Sequence, residues 1–304
     1  MKSILKNIKY IFPEEIYGFL IILFFIAVRL YYGQFNTLLK FNLNNILFIV
    51  SFLFILSLFI FLNPYSKAVR IFRAVFPIIL LFAIFNNLGS IVKLLNPEKY
   101  DWLMIKIDKM LVGCDLSVWM QRFYNPILSN VMFFSYIFYF LLHITLGLLL
   151  YFNKKYEGYR EFVSTLLICA FTGYIFYIIF PVVGPRFTLA NLYEKDFGLN
   201  KIFKFLVDLI NEMEPLKEDC FPSLHISLSL VTIFFAFKYL RKVFYILLPL
   251  VIMLSISTIY CRYHYFIDVI AGMILAILSI YFCEKLNRFW NTKILDRSVH
   301  FFYF

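Results

Sequence analysis

Apolar runs long enough to cross a bilayer govern what this chain can become. A helix needs about 20 mostly apolar residues to span ~30 Å of hydrocarbon. Eight such runs can be drawn, at roughly 15–33, 43–62, 70–92, 128–152, 161–183, 222–238, 243–261 and 264–284. Composition agrees: 62% of the 304 residues are apolar and 15% are charged, against about 45–50% and about 25% in soluble domains. So much apolar surface excludes a soluble enzyme, and the low Gly and Pro content excludes collagen-like repeats and low-complexity disorder. The expected fold class is all-α: a polytopic transmembrane helical bundle of about eight spans, six of them forming a core.

The net charge of +11 does not point to nucleic acid, because the cations sit in short gaps between apolar runs and not on a soluble face. Every gap on one side of the bilayer carries at least three Lys or Arg, such as Lys2, Lys6 and Lys9, or Lys238, Arg241 and Lys242. The positive-inside bias then places both termini in the cytoplasm. The first run ends in Val28-Arg29-Leu30-Tyr31, without a small-residue cleavage site, so it reads as an anchor. Five cysteines are scattered without a CxxC pair, which argues against zinc or redox motifs. Two outer segments are amphipathic. Residues 101–113 end in Gly113, a helix C-cap signal, and residues 202–213 place Ile202, Leu206, Leu209, Ile210 and Met213 on one face. Both are expected to lie in the membrane interface. With no repeat or linker, 1–304 reads as one membrane domain: extra spans in 1–68, a core in 69–284 and a cytoplasmic tail in 285–304.

Three short stretches put polar groups at membrane depth, and on the eight-span reading all three fall on the outer side. They are Phe180–Phe187, Cys220–His225 and Tyr260–Asp268. His264 and Asp268 are four apart and share one helix face. A carboxylate there can take the imidazole Nδ1–H, leaving Nε2 as base or nucleophile. Arg262 and Arg186 are guanidiniums able to hold an anionic oxygen. Pro222 and Ser223 open a helix, whose N-terminal N–H groups favour phosphate, and His225 is a candidate proton donor. An ion pair inside a membrane segment is costly, which favours function over packing. The set holds one nucleophile and one acid, with no cluster of carboxylates for Mg²⁺. It therefore favours metal-independent phosphoryl transfer through a phosphohistidine.

Pro222-Ser223-Leu224-His225, followed by Arg262, His264 and Asp268 and preceded by Gly184-Pro185-Arg186, resembles the signature of the type 2 phosphatidic acid phosphatase superfamily. That signature is an Arg-containing motif, then Pro-Ser-x-His, then Arg-x5-His-x3-Asp. Two positions depart from it. Ile179 stands where the first motif usually opens with Lys, and Thr258 stands six residues before His264, with Arg262 only two before it. The spelling is more similar to the inositol phosphorylceramide synthase branch and its bacterial relatives. Residues 101–119, with Asp108, Gly113, Asp115 and Trp119, resemble the segment before the core in that branch. The resemblance implies His264 as nucleophile, Asp268 as its orienter and His225 as general acid and base. It implies Arg186, Ser223 and Arg262 as phosphate ligands, with no metal and no cofactor.

The implied activity is an integral membrane lipid phosphatase or phosphotransferase, acting on a lipid phosphate or phospholipid headgroup at the extracytoplasmic face of the plasma (inner) membrane. Transfer to a lipid alcohol and hydrolysis both remain open, as does oligomeric state. The competing readings are a lipid transporter or scramblase with a polar path, and a metal site built from His225, His264 and Asp268.

Overall fold

Helix starts and stops follow local chemistry. The computed structural model describes residues 67–214 and 216–293, with a few positions between 18 and 28. The first two expected spans therefore lie almost wholly outside the described residues. Ten α-helices follow in the rest: α1 (Lys67–Leu95), α2 (Asp101–Val112), α3 (Leu116–Met120), α4 (Pro126–Phe152), α5 (Tyr156–Ile179), α6 (Pro185–Thr188), α7 (Lys201–Met213), α8 (Leu224–Tyr239), α9 (Arg241–Tyr260) and α10 (Phe266–Lys293). Among the described residues there is no strand. Asn125 caps α4 by accepting from Leu128 N at 2.9 Å, with Pro126 at the first helical position, where its missing N–H costs nothing. Asn200 caps α7 in the same way through Phe203 N. Gly113 closes α2 in the left-handed region at φ 77°, as expected.

Four helices are long and apolar enough to cross a membrane: Pro126–Phe152, Tyr156–Ile179, Arg241–Tyr260 and Phe266–Phe289. Two shorter apolar helices, Val75–Gly89 and Leu224–Tyr239, match the third and sixth expected runs. The chain parts into two compact units, residues 1–84 with 282–304, and Phe85–Tyr281. The polar stretches all lie in the second.

Within that unit α8 packs against α4, α5 and α9, and α4 packs against α5 and α9. The interior is unusual in being lined by small polar residues. Ser129, Ser164, Ser227, Ser229, Thr232, Ser257 and Thr258 are all buried. The outward faces carry the bulk, including Phe134, Leu141 and Leu148 on α4 and Ile274, Ile277 and Leu278 on α10. In water such a surface would aggregate. In lipid it is the expected arrangement, because small residues let helix backbones approach while tails solvate the large ones. The protein is an integral membrane helical bundle.

Candidate active site

The loops at one end of the bundle bring the three polar stretches together. Helix α9 ends in a Schellman turn: Tyr263 N donates to Thr258 O at 3.0 Å and Arg262 N to Ile259 O at 3.0 Å. This puts Arg262 in the left-handed C′ position at φ 67°, where glycine is usual. His264 N also donates to Thr258 O at 3.0 Å, so the turn fixes where the His264 ring begins. Thr258, the position at which the family spacing would place an Arg, contributes through its carbonyl. Helix α10 then opens at Phe266, with Asp268 in its first turn.

The second stretch meets this turn directly. Ser223 N donates to Asp268 O at 3.1 Å, and Ser223 Oγ accepts from Ile226 N at 3.4 Å as the N-cap of α8. Gly272 on α10 makes this approach possible, since a Cβ there would stand 2.5 Å from Ser223 O. The first stretch is equally constrained. Gly184 has φ 93°, and a Cβ on it would lie 2.8 Å from Tyr263 O. Arg186 N donates to Arg262 O at 2.9 Å, tying the first motif to the third.

Hydrogen bonds settle the tautomers. His264 Nδ1 lies 3.0 Å from the carbonyl of Cys220, which can only accept, so Nδ1 carries the proton. Asp268 Oδ2 stands 3.5 Å from the same nitrogen. In the neutral ring Nε2 is then a bare lone pair. It faces His225 Nδ1 at 3.1 Å, which must be the donor. His225 is clasped between aromatic rings, stacked on Tyr136 at 4.8 Å and tilted against Tyr139 at 4.3 Å. Tyr136 in turn stacks on Tyr263 at 4.2 Å. His264, Asp268 and Ser223 are buried.

Asp268 Oδ2 also accepts from Tyr265 N at 2.8 Å and lies 3.0 Å from the Cys220 thiol. Burial and the neighbouring Asp268 carboxylate push the Cys220 thiol well above its ordinary value, so it stays protonated and donates. Cys220 Sγ, His264 Nδ1 and Asp268 Oδ2 lie within 4.8 Å of one another, a set able to ligate a soft divalent ion. Hydrogen bonds already account for all three atoms. Asp268 Oδ1, by contrast, is buried with no partner among the described residues.

The two arginines differ. Arg186 stays beside the site. Its guanidinium lies over the Tyr263 ring at 4.7 Å and the Phe187 ring at 4.5 Å, donating to Asn211 Oδ1 at 2.7 Å and to the Glu214 carboxylate. Arg262 turns away. Its guanidinium donates to Tyr124 OH and Lys195 O and lies 4.0 Å and 4.3 Å over the rings of Tyr193 and Phe197. So the structure gathers His264, Asp268, His225, Ser223 and Arg186, and brings Arg262 to them by its backbone only.

Sequence reasoning gave no role to four groups that build this geometry, although Asp108 and Cys220 fall in stretches it singled out. Asp101 accepts from Val183 N, Gly184 N and Tyr265 OH at 2.9–3.1 Å, fixing the loop before Arg186. Asp108 accepts from Phe266 N and Ile267 N, both at 2.8 Å, and so caps α10. Cys220 and Glu214 complete the set. A carboxylate seven residues from another on an amphipathic helix is the one sequence signal for the first two.

A family model described as the PAP2 superfamily matches residues 103–282, more than half of the chain and all of the site from Asp108 onward. The search of curated proteins and the search of solved structures each found no match to this chain. That match spans the loops that hold the histidine pair, and by it the chain belongs to the PAP2 superfamily of type 2 phosphatidic acid phosphatases and is a membrane phosphoesterase.

Proposed function

We propose that the protein cleaves a lipid phosphoester through a covalent phosphohistidine on His264, with the site at the extracytoplasmic face. The observation that carries this reading is the His264 ring, held by Cys220 O and Asp268 at Nδ1 while the unprotonated Nε2 accepts from His225 Nδ1 at 3.1 Å. A nucleophile needs an unprotonated nitrogen, a fixed tautomer and a nearby acid, and this ring has all three.

In the first step the Nε2 lone pair forms a bond to phosphorus as the ester P–O bond breaks. The departing oxygen takes the proton from His225 Nδ1. Charge that develops on the His264 ring is stabilised by Asp268 across Nδ1–H. In the second step His225 removes a proton from an acceptor O–H, that oxygen bonds to phosphorus, and the N–P electrons return to Nε2. Water as acceptor gives hydrolysis; a lipid alcohol gives transfer. Arg186 holds a non-bridging oxygen, and the Ser223 hydroxyl with the α8 N-terminus offers further donors. Arg262 acts as a brace, its carbonyl fixing the Arg186 backbone.

The test is labelling of the purified protein with ³²P-lipid, quenched early. Acid-labile, base-stable label is expected on wild type, absent in His264→Ala, and trapped in larger amount in His225→Ala if the second step is slowed more than the first. Both variants should lose at least about 10³-fold in turnover, the scale set by losing a nucleophile or general acid. Turnover without any label under the fastest quench, or lipid flux with no turnover, overturns the reading; the second result would favour a transporter.

A further inference from the structure

The cations that would meet a phosphate at this site are fewer than the motifs suggest. Arg262 has its guanidinium in the aromatic cage of Tyr193 and Phe197. The position of the usual first-motif Lys is Ile179, which is largely exposed on the outside of α5. Lys217 lies at the rim, its ammonium 5.4 Å over the Phe187 ring. Arg186 remains, and it is already engaged: Nη2 on the Glu214 carboxylate and Nη1 on Asn211 Oδ1, which also accepts from Tyr263 OH at 3.0 Å. Its Nε–H edge has no partner among the described residues. Glu214 follows directly on α7, whose Phe203 and Val207 pack against the cluster around Tyr260 and Tyr263.

From this, and resting on the phosphoryl-transfer reading above, we infer that Glu214 is a specificity residue: by pairing with Arg186 it selects a singly charged phosphodiester over a doubly charged phosphomonoester. A phosphodiester brings one negative charge, which the free edge of Arg186 can take while Glu214 stays in place. A phosphomonoester near neutral pH carries close to two, and the second would face the Glu214 carboxylate across the same guanidinium. The surroundings do not offset this. Asp219, beside the pair, is held above the ordinary carboxylate range first by its burial and then by repulsion from Glu214, so the Glu214 charge is felt by its neighbours despite the pairing with Arg186. With a diester the first step expels one ester oxygen as an alcohol, protonated by His225, and leaves the other esterified group on the His264-bound phosphorus. The second step passes that phosphoryl ester to an acceptor hydroxyl. Glu214 is thus a positioning group acting through Arg186.

The test compares kcat/KM of the full-length protein in mixed micelles for dioleoyl phosphatidate and for the phosphatidylglycerol, phosphatidylethanolamine and phosphatidylinositol of the same chains. The best diester is expected to exceed phosphatidate by at least about tenfold. Glu214→Gln should narrow that ratio about tenfold by raising the phosphatidate value, and Glu214→Asp, which keeps the charge, should restore it. Asn211→Asp, which adds a charge on the same guanidinium, should widen it. A wild type that prefers phosphatidate overturns the selector, as does a ratio that none of the three variants moves. Label on His264 separates the failures: if it forms and the ratio is unmoved, the selector alone falls, and if none of the four lipids gives label, the phosphoryl-transfer reading falls and the selector with it.

Discussion

Arg262 shows how a motif residue can be present in the sequence and act by an unexpected atom. A non-glycine residue in the left-handed region costs roughly 1 kcal/mol, and here cation–π contacts and two hydrogen bonds hold it there. Arg262→Gly would keep the Schellman turn and relieve that strain. Its thermal midpoint is expected to stay close to wild type, since lost contacts offset the relief. Its loss of kcat/KM should be at least tenfold smaller than that of Arg186→Ala, and equal losses would put the Arg262 guanidinium on the phosphate. The spacing of Arg262, His264 and Asp268 was legible because four residues make one helical turn and the pair faces one way. The direction of the Arg262 side chain was not, because its partners are 67 and 138 residues away in the chain.

At the scale of elements, α2 shows how an interfacial helix can be more than a cover. Its amphipathic pattern and its Gly113 stop were readable from the sequence. Its role as a strut was not, since Asp101 and Asp108 reach backbone groups 82 to 159 residues distant. Two turns apart, they hold the loop before Arg186 and the first turn of α10 in one register. Asp108 is charged at a cost: burial raises it from 3.8 to about 6, and the two backbone bonds that favour the carboxylate only partly oppose this. The sign follows from linkage. A native pKa above the unfolded one means the folded state holds its proton longer, so this group favours folding most below about pH 4. That contribution is lost as pH rises toward about 6. Thermal unfolding in detergent across pH 4 to 7 should show stability falling with pH through this window in wild type, relative to Asp108→Asn. A flat difference between the two proteins would remove Asp108 from the account. α7 was likewise legible as a helix with one apolar face. That the residues at its C-terminal end, Asn211 and Glu214, clamp Arg186 had no signal in the pattern.

For the whole molecule, the third to eighth apolar runs each became a helix, because hydrophobic length alone dictates helices in lipid. What sequence could not supply is which side chains face which neighbours, since in a membrane both interior and exterior are apolar and periodicity says little. The orientation in the bilayer rests on the Lys/Arg bias and is open to direct measurement. Cys114 is the one partly exposed cysteine; Cys169, Cys220, Cys261 and Cys283 are buried. It sits between α2 and α3, on the loop that follows the strut. In spheroplasts, a membrane-impermeant maleimide is expected to label Cys114 without permeabilisation, and Cys114→Ser should abolish the signal. Labelling that requires permeabilisation would turn the site to the cytoplasm.

The direct contact between His225 and His264 has one more consequence. The lone pair of His264 Nε2 is covered by the proton of its mate, His225. A tetrahedral phosphorus wedged between them must pull the rings apart before it can react. Small electrophiles in the surrounding water, too slight to force that separation, should modify His264 slowly, and on the proposed mechanism the histidine pair would itself shield the nucleophile.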